Sequence, residues 1–197
     1  MAWVDPQRTA LMIMDFQTHI VGLVDGSDAL LDRVARARST CRHRGIQTIF
    51  VRVALTPDDR QTIPDRNKSF FALARGTDLM AEGTSAADVH PVLEPAPDDI
   101  VVTKKRTGSF STTDLAAELE RRGIDTLILA GIATSGVVLS TVRDAADRDY
   151  RLFVLADCCA DPDAVVHKVL IERVLPRQAE VITSNSLDGL LAGERIE

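Results

Sequence analysis

The chain has 197 residues, 45% of them hydrophobic, enough to bury one core, so a single domain over 1–197 is predicted. Its formal net charge of −6 comes from 29 acidic and 23 basic residues mixed along the chain, which argues against nucleic acid or an anionic membrane as partner. No apolar run approaches the roughly 20 residues of a membrane span. The N-terminus lacks a signal-peptide pattern, and three cysteines make no disulfide framework, so a cytoplasmic protein is expected.

In chain order, Thr9 to Asp15 is an apolar run that ends in a carboxylate and predicts a central strand. After a loop, Ser27 or Asp28 caps a helix to about Arg44, with Leu30, Leu31, Val34, Ala37 and Cys41 on its inner face and Gly45 ending it. The second strand covers 45–53. Residues 55–97 form a long, poorly patterned stretch that is functional or carries short helices, one of them near Ser69 to Ala74. Asp98 to Lys104 is a third strand that ends in a cation. Thr112 or Thr113 caps the next helix, which runs through Arg122. Asp125 to Ala130 is the fourth strand, and a helix from about Thr134 to Arg148 follows. Arg151 to Asp157 is the fifth strand, Pro162 opens a helix to about Leu175, Ala179 to Ser184 is the sixth strand, and Ser186 starts a last short helix. Strands alternating with helices predict an α/β fold with a mostly parallel sheet and helices on both faces.

In such a sheet ligands bind beyond the carboxyl ends of the strands. Three features fall there: Asp15, Lys104 and the strand-to-helix turn from Gly131 to Ser135. A carboxylate beside an ammonium can move protons and hold a substrate carboxylate. A structural ion pair is the competing explanation. Cys158 and Cys159 follow the fifth strand, where a thiol would act as nucleophile or simply pack as a small apolar residue. Cys41 reads as core. His19 lies near Asp15 in a loop, His43 at a helix end, His90 in the long connection and His167 on a helix, the last two read as structural. Phe70, Phe71 and Phe110 either wall an apolar pocket or pack in the core.

Taken as an ordered set, these residues resemble the isochorismatase-like hydrolases, also called cysteine hydrolases. The shared segments are LMIMDFQ with Asp15 and Gln17; Lys104 followed by Phe110 and Thr113 to Leu115; and GIAT at Gly131 to Thr134, followed by Ser140-Thr141 and Arg143 to Ala145. The resemblance spans nearly the whole chain. It implies a three-layer αβα fold with a six-stranded parallel sheet, and a homodimer or larger homo-oligomer. It further implies catalysis by Asp15 and Lys104, with Gln17, Arg106, Phe110, Ile132, Ala133 and Val137 around a small-molecule substrate, and a cis bond between Ile132 and Ala133.

The chain departs from the family pattern where a thiol is expected. The nucleophilic cysteine of the thiol-using members falls at Val137, which can be neither nucleophile nor acid nor base. Thiol-dependent amide hydrolysis is therefore not expected. The Asp-x-His metal site of the nicotinamidase members has no counterpart in VRVALTPDD, so no metal and no cofactor are expected. Isochorismatases of the family need no thiol, because they protonate a vinyl ether. Their Gln-Pro and Arg-Tyr pairs are Ala54-Leu55 and Arg106-Thr107 here, so only the arginine is kept. Two functions remain: a thiol-free hydrolase acting on a small carboxylate-bearing molecule, and a non-catalytic relative that binds a small acid or serves as a structural subunit.

Overall fold

The computed structural model describes residues 4–76 and 78–193. A six-stranded parallel sheet runs through it in the order β3-β2-β1-β4-β5-β6. The strands are β1 (Thr9–Met14), β2 (Gln47–Val53), β3 (Ile100–Lys104), β4 (Thr126–Ile132), β5 (Arg151–Ala160) and β6 (Glu180–Ile182). The helices are α1 (Thr18–Val21), α2 (Ser27–His43), α3 (Pro57–Thr62), α4 (Lys68–Gly76), α5 (Leu115–Arg121), α6 (Leu139–Ala146), α7 (Ala164–Val169) and α8 (Leu187–Leu191). None of the described helices is long and apolar enough to cross a membrane.

The central pair β1 and β4 is buried at every position, as an unbroken apolar run requires. Successive side chains leave opposite faces of each strand. Leu11, Ile13, Ile128, Ala130, Phe153 and Leu155 pack under α2 and α8. Ala10, Met12, Met14, Leu127, Leu129, Leu152 and Val154 pack under α5 and α6. Helices thus cover both faces, and the three-layer αβα architecture is the one expected.

The strand order places the switch point between β1 and β4, where connections leave in opposite directions, the position at which open α/β sheets bind ligands. Met14 pairs with Gly131 there. Gly131 is the most tightly packed of the described glycines: a Cβ on it would lie 2.7 Å from Val138 Cγ2 and 3.3 Å from both Cβ and Cε of Met14.

Several local expectations change. Gly26, at φ 67°, precedes α2, and neither Ser27 nor Asp28 caps it through a side chain; Asp28 sits in the first turn instead. Asp163, not Pro162, starts α7: its carboxylate accepts from the Val165 and Val166 amides. The helices after β4 and β5 each contain a π-helical turn, Thr134–Val138 and Leu170–Val174, which the apolar spacing does not distinguish from α. Asp114 precedes α5 without a side-chain cap, and Thr113 Oγ1 accepts the Leu115 amide at 3.4 Å. Strand β5 continues to Ala160, so Cys158 and Cys159 lie inside it. The long stretch after β2 does carry short helices. α3 begins with a capping box between Thr56 and Asp59, and α4 seats Phe70 and Ala74 on Val53, Leu55, Ile63 and Met80.

Gly131→Ala is expected to destabilise the protein by about 1–3 kcal/mol, because the inserted methyl meets Val138 with no room to relax. Urea unfolding checks this; an unchanged midpoint would show that the β1–β4 contact has slack.

Candidate active site

Asp15 follows β1 directly. Its φ is 59°, a left-handed conformation that aspartate tolerates better than most residues. The backbone still donates to Val51 O at 2.8 Å, so the ladder to β2 holds while the side chain turns out of the strand pattern. Asp15 Oδ2 accepts a hydrogen bond from Lys104 Nζ at 2.8 Å. Lys104 ends β3, two strands away, and its ammonium also donates to Arg106 O at 3.1 Å. Both residues are enclosed, with 6% and 1% of their surface exposed.

Asp15 Oδ1 is buried and has no hydrogen-bond partner among the described residues. Burial pushes the Asp15 carboxyl above the usual carboxylate range, further than the charge and hydrogen bond of Lys104 pull it down. A carboxyl raised in this way, with one oxygen unpartnered, has hydrogen-bonding capacity left for a ligand.

Gln17 is fully enclosed and serves the scaffold. Its amide nitrogen donates to Val53 O at 2.8 Å and Ala87 O at 2.6 Å, and its oxygen accepts from Val53 N at 2.8 Å. Both amide protons are thus engaged by backbone. Arg106 places its guanidinium 5.8 Å above the Phe70 ring and donates to Lys105 O. Phe110 is packed with Val137 in the cluster under α5 and α6, its ring 6.0 Å from that of Tyr150. Ile132 belongs to the opposite cluster, under α2, and Ala133 packs at that cluster's margin. Val137 is buried in the first turn after β4, and the Ile132–Ala133 bond is cis.

The three cysteines are enclosed. Burial pushes the Cys41 and Cys158 thiols up to about 12, and the Cys159 thiol up as well. Enclosure that raises a thiol works against the thiolate form a nucleophile needs, so the setting of Cys158 and Cys159 does not favour them as substitutes. His19 stands in α1, His43 ends α2, and His90 Nδ1 accepts from the Val92 amide at the start of a short 3-10 turn. Among the described residues no three His, Cys, Asp or Glu side chains gather as a metal site would need.

The turn after β4 has partners that the sequence did not point to. Thr134 Oγ1 is 2.8 Å from His167 Nδ1, and the Ser135 amide donates to Asp161 Oδ2 at 2.7 Å. Beneath it, Ser109 Oγ and Thr141 Oγ1 form a buried pair at 2.8 Å. These contacts join segments 26 to 33 residues apart in sequence, and no local spacing encodes them.

Known proteins share this arrangement of strands and turns. The Isochorismatase domain model matches residues 9–186. The chain is 30% identical over 185 residues to the uncharacterized isochorismatase family protein YecD of Escherichia coli O157:H7, covering 90% of this chain and 93% of that one. It is 32% identical over 173 residues to the ureidoacrylate amidohydrolase RutB of Methylorubrum extorquens, covering 78% and 70%. The structure of an isochorismatase family protein from Burkholderia thailandensis superposes with a TM-score of 0.79 at 28% identity, covering 96% and 98%. With a match from the first strand to the edge of the last helix, and Asp15, Lys104 and the Gly131 turn all at the carboxyl edge of one sheet, this chain belongs to the isochorismatase family.

Proposed function

We propose that this protein hydrolyses a small carboxylate-bearing vinyl ether by acid catalysis, without a thiol. The observation that carries this reading is the setting of Asp15: buried, its carboxyl raised by that burial, paired through one oxygen with Lys104 and, among the described residues, unpartnered at the other. Amide hydrolysis by the route of a cysteine enzyme needs a thiolate, and the three cysteines of this chain are buried where desolvation works against that form. A vinyl ether needs only a proton on carbon.

The Asp15 carboxyl gives its proton to the terminal alkene carbon, and the ether oxygen stabilises the resulting oxocarbenium ion. Water adds to the cationic carbon, and the hemiketal releases the alcohol and leaves a ketone. The proton released by water returns to Asp15. Lys104 and Arg106 balance the substrate carboxylate. Its negative charge raises the Asp15 carboxyl further and opposes the effect of the lysine. A binding-only role draws support from one observation, the near-complete enclosure of the Asp15–Lys104 pair.

The test substrate is 2-methoxyacrylate, the smallest vinyl ether with a carboxylate, which yields pyruvate and methanol. The wild type is expected to release pyruvate, and Asp15→Asn to lower turnover by about 100- to 10,000-fold, the range for a lost general acid. Alkylation with iodoacetamide should leave the rate unchanged; abolition would restore a thiol route through Cys158 or Cys159. Binding of methoxyacrylate without turnover would support the binding-only role.

The pH dependence has a definite sign. The acid must carry its proton, so the rate falls as pH rises through the raised Asp15 value. A rate that increases with pH over that range would make Asp15 a base.

A further inference from the structure

The connection from β5 to α7 grips the turn after β4 at two successive residues. Asp161 Oδ2 accepts the Ser135 amide, and His167 Nδ1 meets the Thr134 hydroxyl at 2.8 Å. Thr134 is fully enclosed, and His167 Nδ1 is the sole hydrogen-bond partner of its hydroxyl among the described residues. A buried hydroxyl proton needs an acceptor. Here it can reach only the ring nitrogen, so Thr134 donates and Nδ1 accepts with its lone pair. The ring proton then sits on Nε2.

Protonating the ring would place a second N–H against the hydroxyl. Thr134 would have to turn its own proton into apolar surroundings. The contact therefore selects the neutral imidazole, and burial acts in the same direction. Asp161 opposes this, since its charge favours the imidazolium. Asp163 caps α7, Lys168 pairs with Glu172 on the outer side of the same helix, and Arg173 follows in the next turn. The turn 134–138 itself carries no titratable side chain.

We propose that His167 is a positioning residue of the site: as a neutral ring protonated on Nε2, it holds the turn after β4, the wall beside Asp15, through the buried Thr134 hydroxyl. β4 ends at Ile132, one residue past the Met14–Gly131 pair, and the turn follows from Thr134, so it leaves the sheet on the strand next to Asp15. The hold is complete above the ordinary histidine value of about 6.5 and is lost as pH falls through the lower value of the folded ring. Its bearing on turnover rests on the hydrolase reading; the hold itself does not.

The test is an NMR titration of the 15N-labelled full chain from about pH 8 to about pH 5, the histidine range. It follows the imidazole nitrogens together with the Ser135 and Gly136 amides. The His167 ring is expected to be neutral with its proton on Nε2 at pH 7. It should titrate with a midpoint below about 6.5, and both amides should shift with the same midpoint. In Thr134→Val the midpoint should rise toward that value and the amides should cease to follow it; Thr134→Ser should restore both. His167→Asn, whose side-chain oxygen accepts the Thr134 proton without titrating, should remove the pH response of the amides. A ring protonated on Nδ1, or amides that stay still while the wild-type ring titrates, would overturn the assignment, and the wild-type titration decides even if a variant does not fold. Failure to bind 2-methoxyacrylate would count against the hydrolase reading alone.

Discussion

The Asp15–Lys104 pair is the constraint on which the site depends. It joins the carboxyl ends of β1 and β3 across the end of β2. Strands lie about 4.8 Å apart, so the two backbones are roughly 10 Å from one another and a lysine side chain spans most of the gap. A pair enclosed this fully is expensive to desolvate, and apolar residues of similar volume would often serve stability as well or better. Its presence, with one carboxylate oxygen left unpartnered, argues for a task other than holding the sheet together. The surrounding structure fits that task. Gln17 fixes the chain after Asp15 to the end of β2, and Arg106 supplies a backbone oxygen to the ammonium.

The turn after β4 makes the complementary point. In a fold of this kind it presents a helix start to the crevice. Here Asp161 already engages the Ser135 amide, and Val137 fills the buried position that the family resemblance gives to a thiol. The thiols of the chain are buried in strand and helix, and the proposed chemistry of the carboxyl edge draws on Asp15, Lys104 and Arg106 instead. Asp15 is enclosed at the end of β1 and its carboxyl is raised by burial, whereas Asp157, inside β5, accepts from the amide and hydroxyl of Ser184.

Much of this was legible in the sequence. The unbroken apolar runs marked β1, β4 and β5, and the charges closing the first and third strands marked Asp15 and Lys104. What the runs conceal is where a strand stops. Cys158 and Cys159 look like loop residues after Asp157, yet the strand carries them into the core. Helical spacing reports an apolar face and is blind to a π turn, which shifts the register by one residue without altering composition. Gln17 carried a family signature but no sign that backbone would engage its amide. His167 was invisible for a deeper reason: its partner lies 33 residues away on another segment, and only the folded chain brings them together.

The most direct measurement is the titration of the Asp15 side-chain carboxyl carbon by NMR in the intact protein. A midpoint clearly above the ordinary aspartate value of about 3.9 is expected, as burial outweighs the neighbouring ammonium. A midpoint at or below that value would mean that Asp15 is an ordinary anion held by Lys104, and the acid-catalysed mechanism would have no acid.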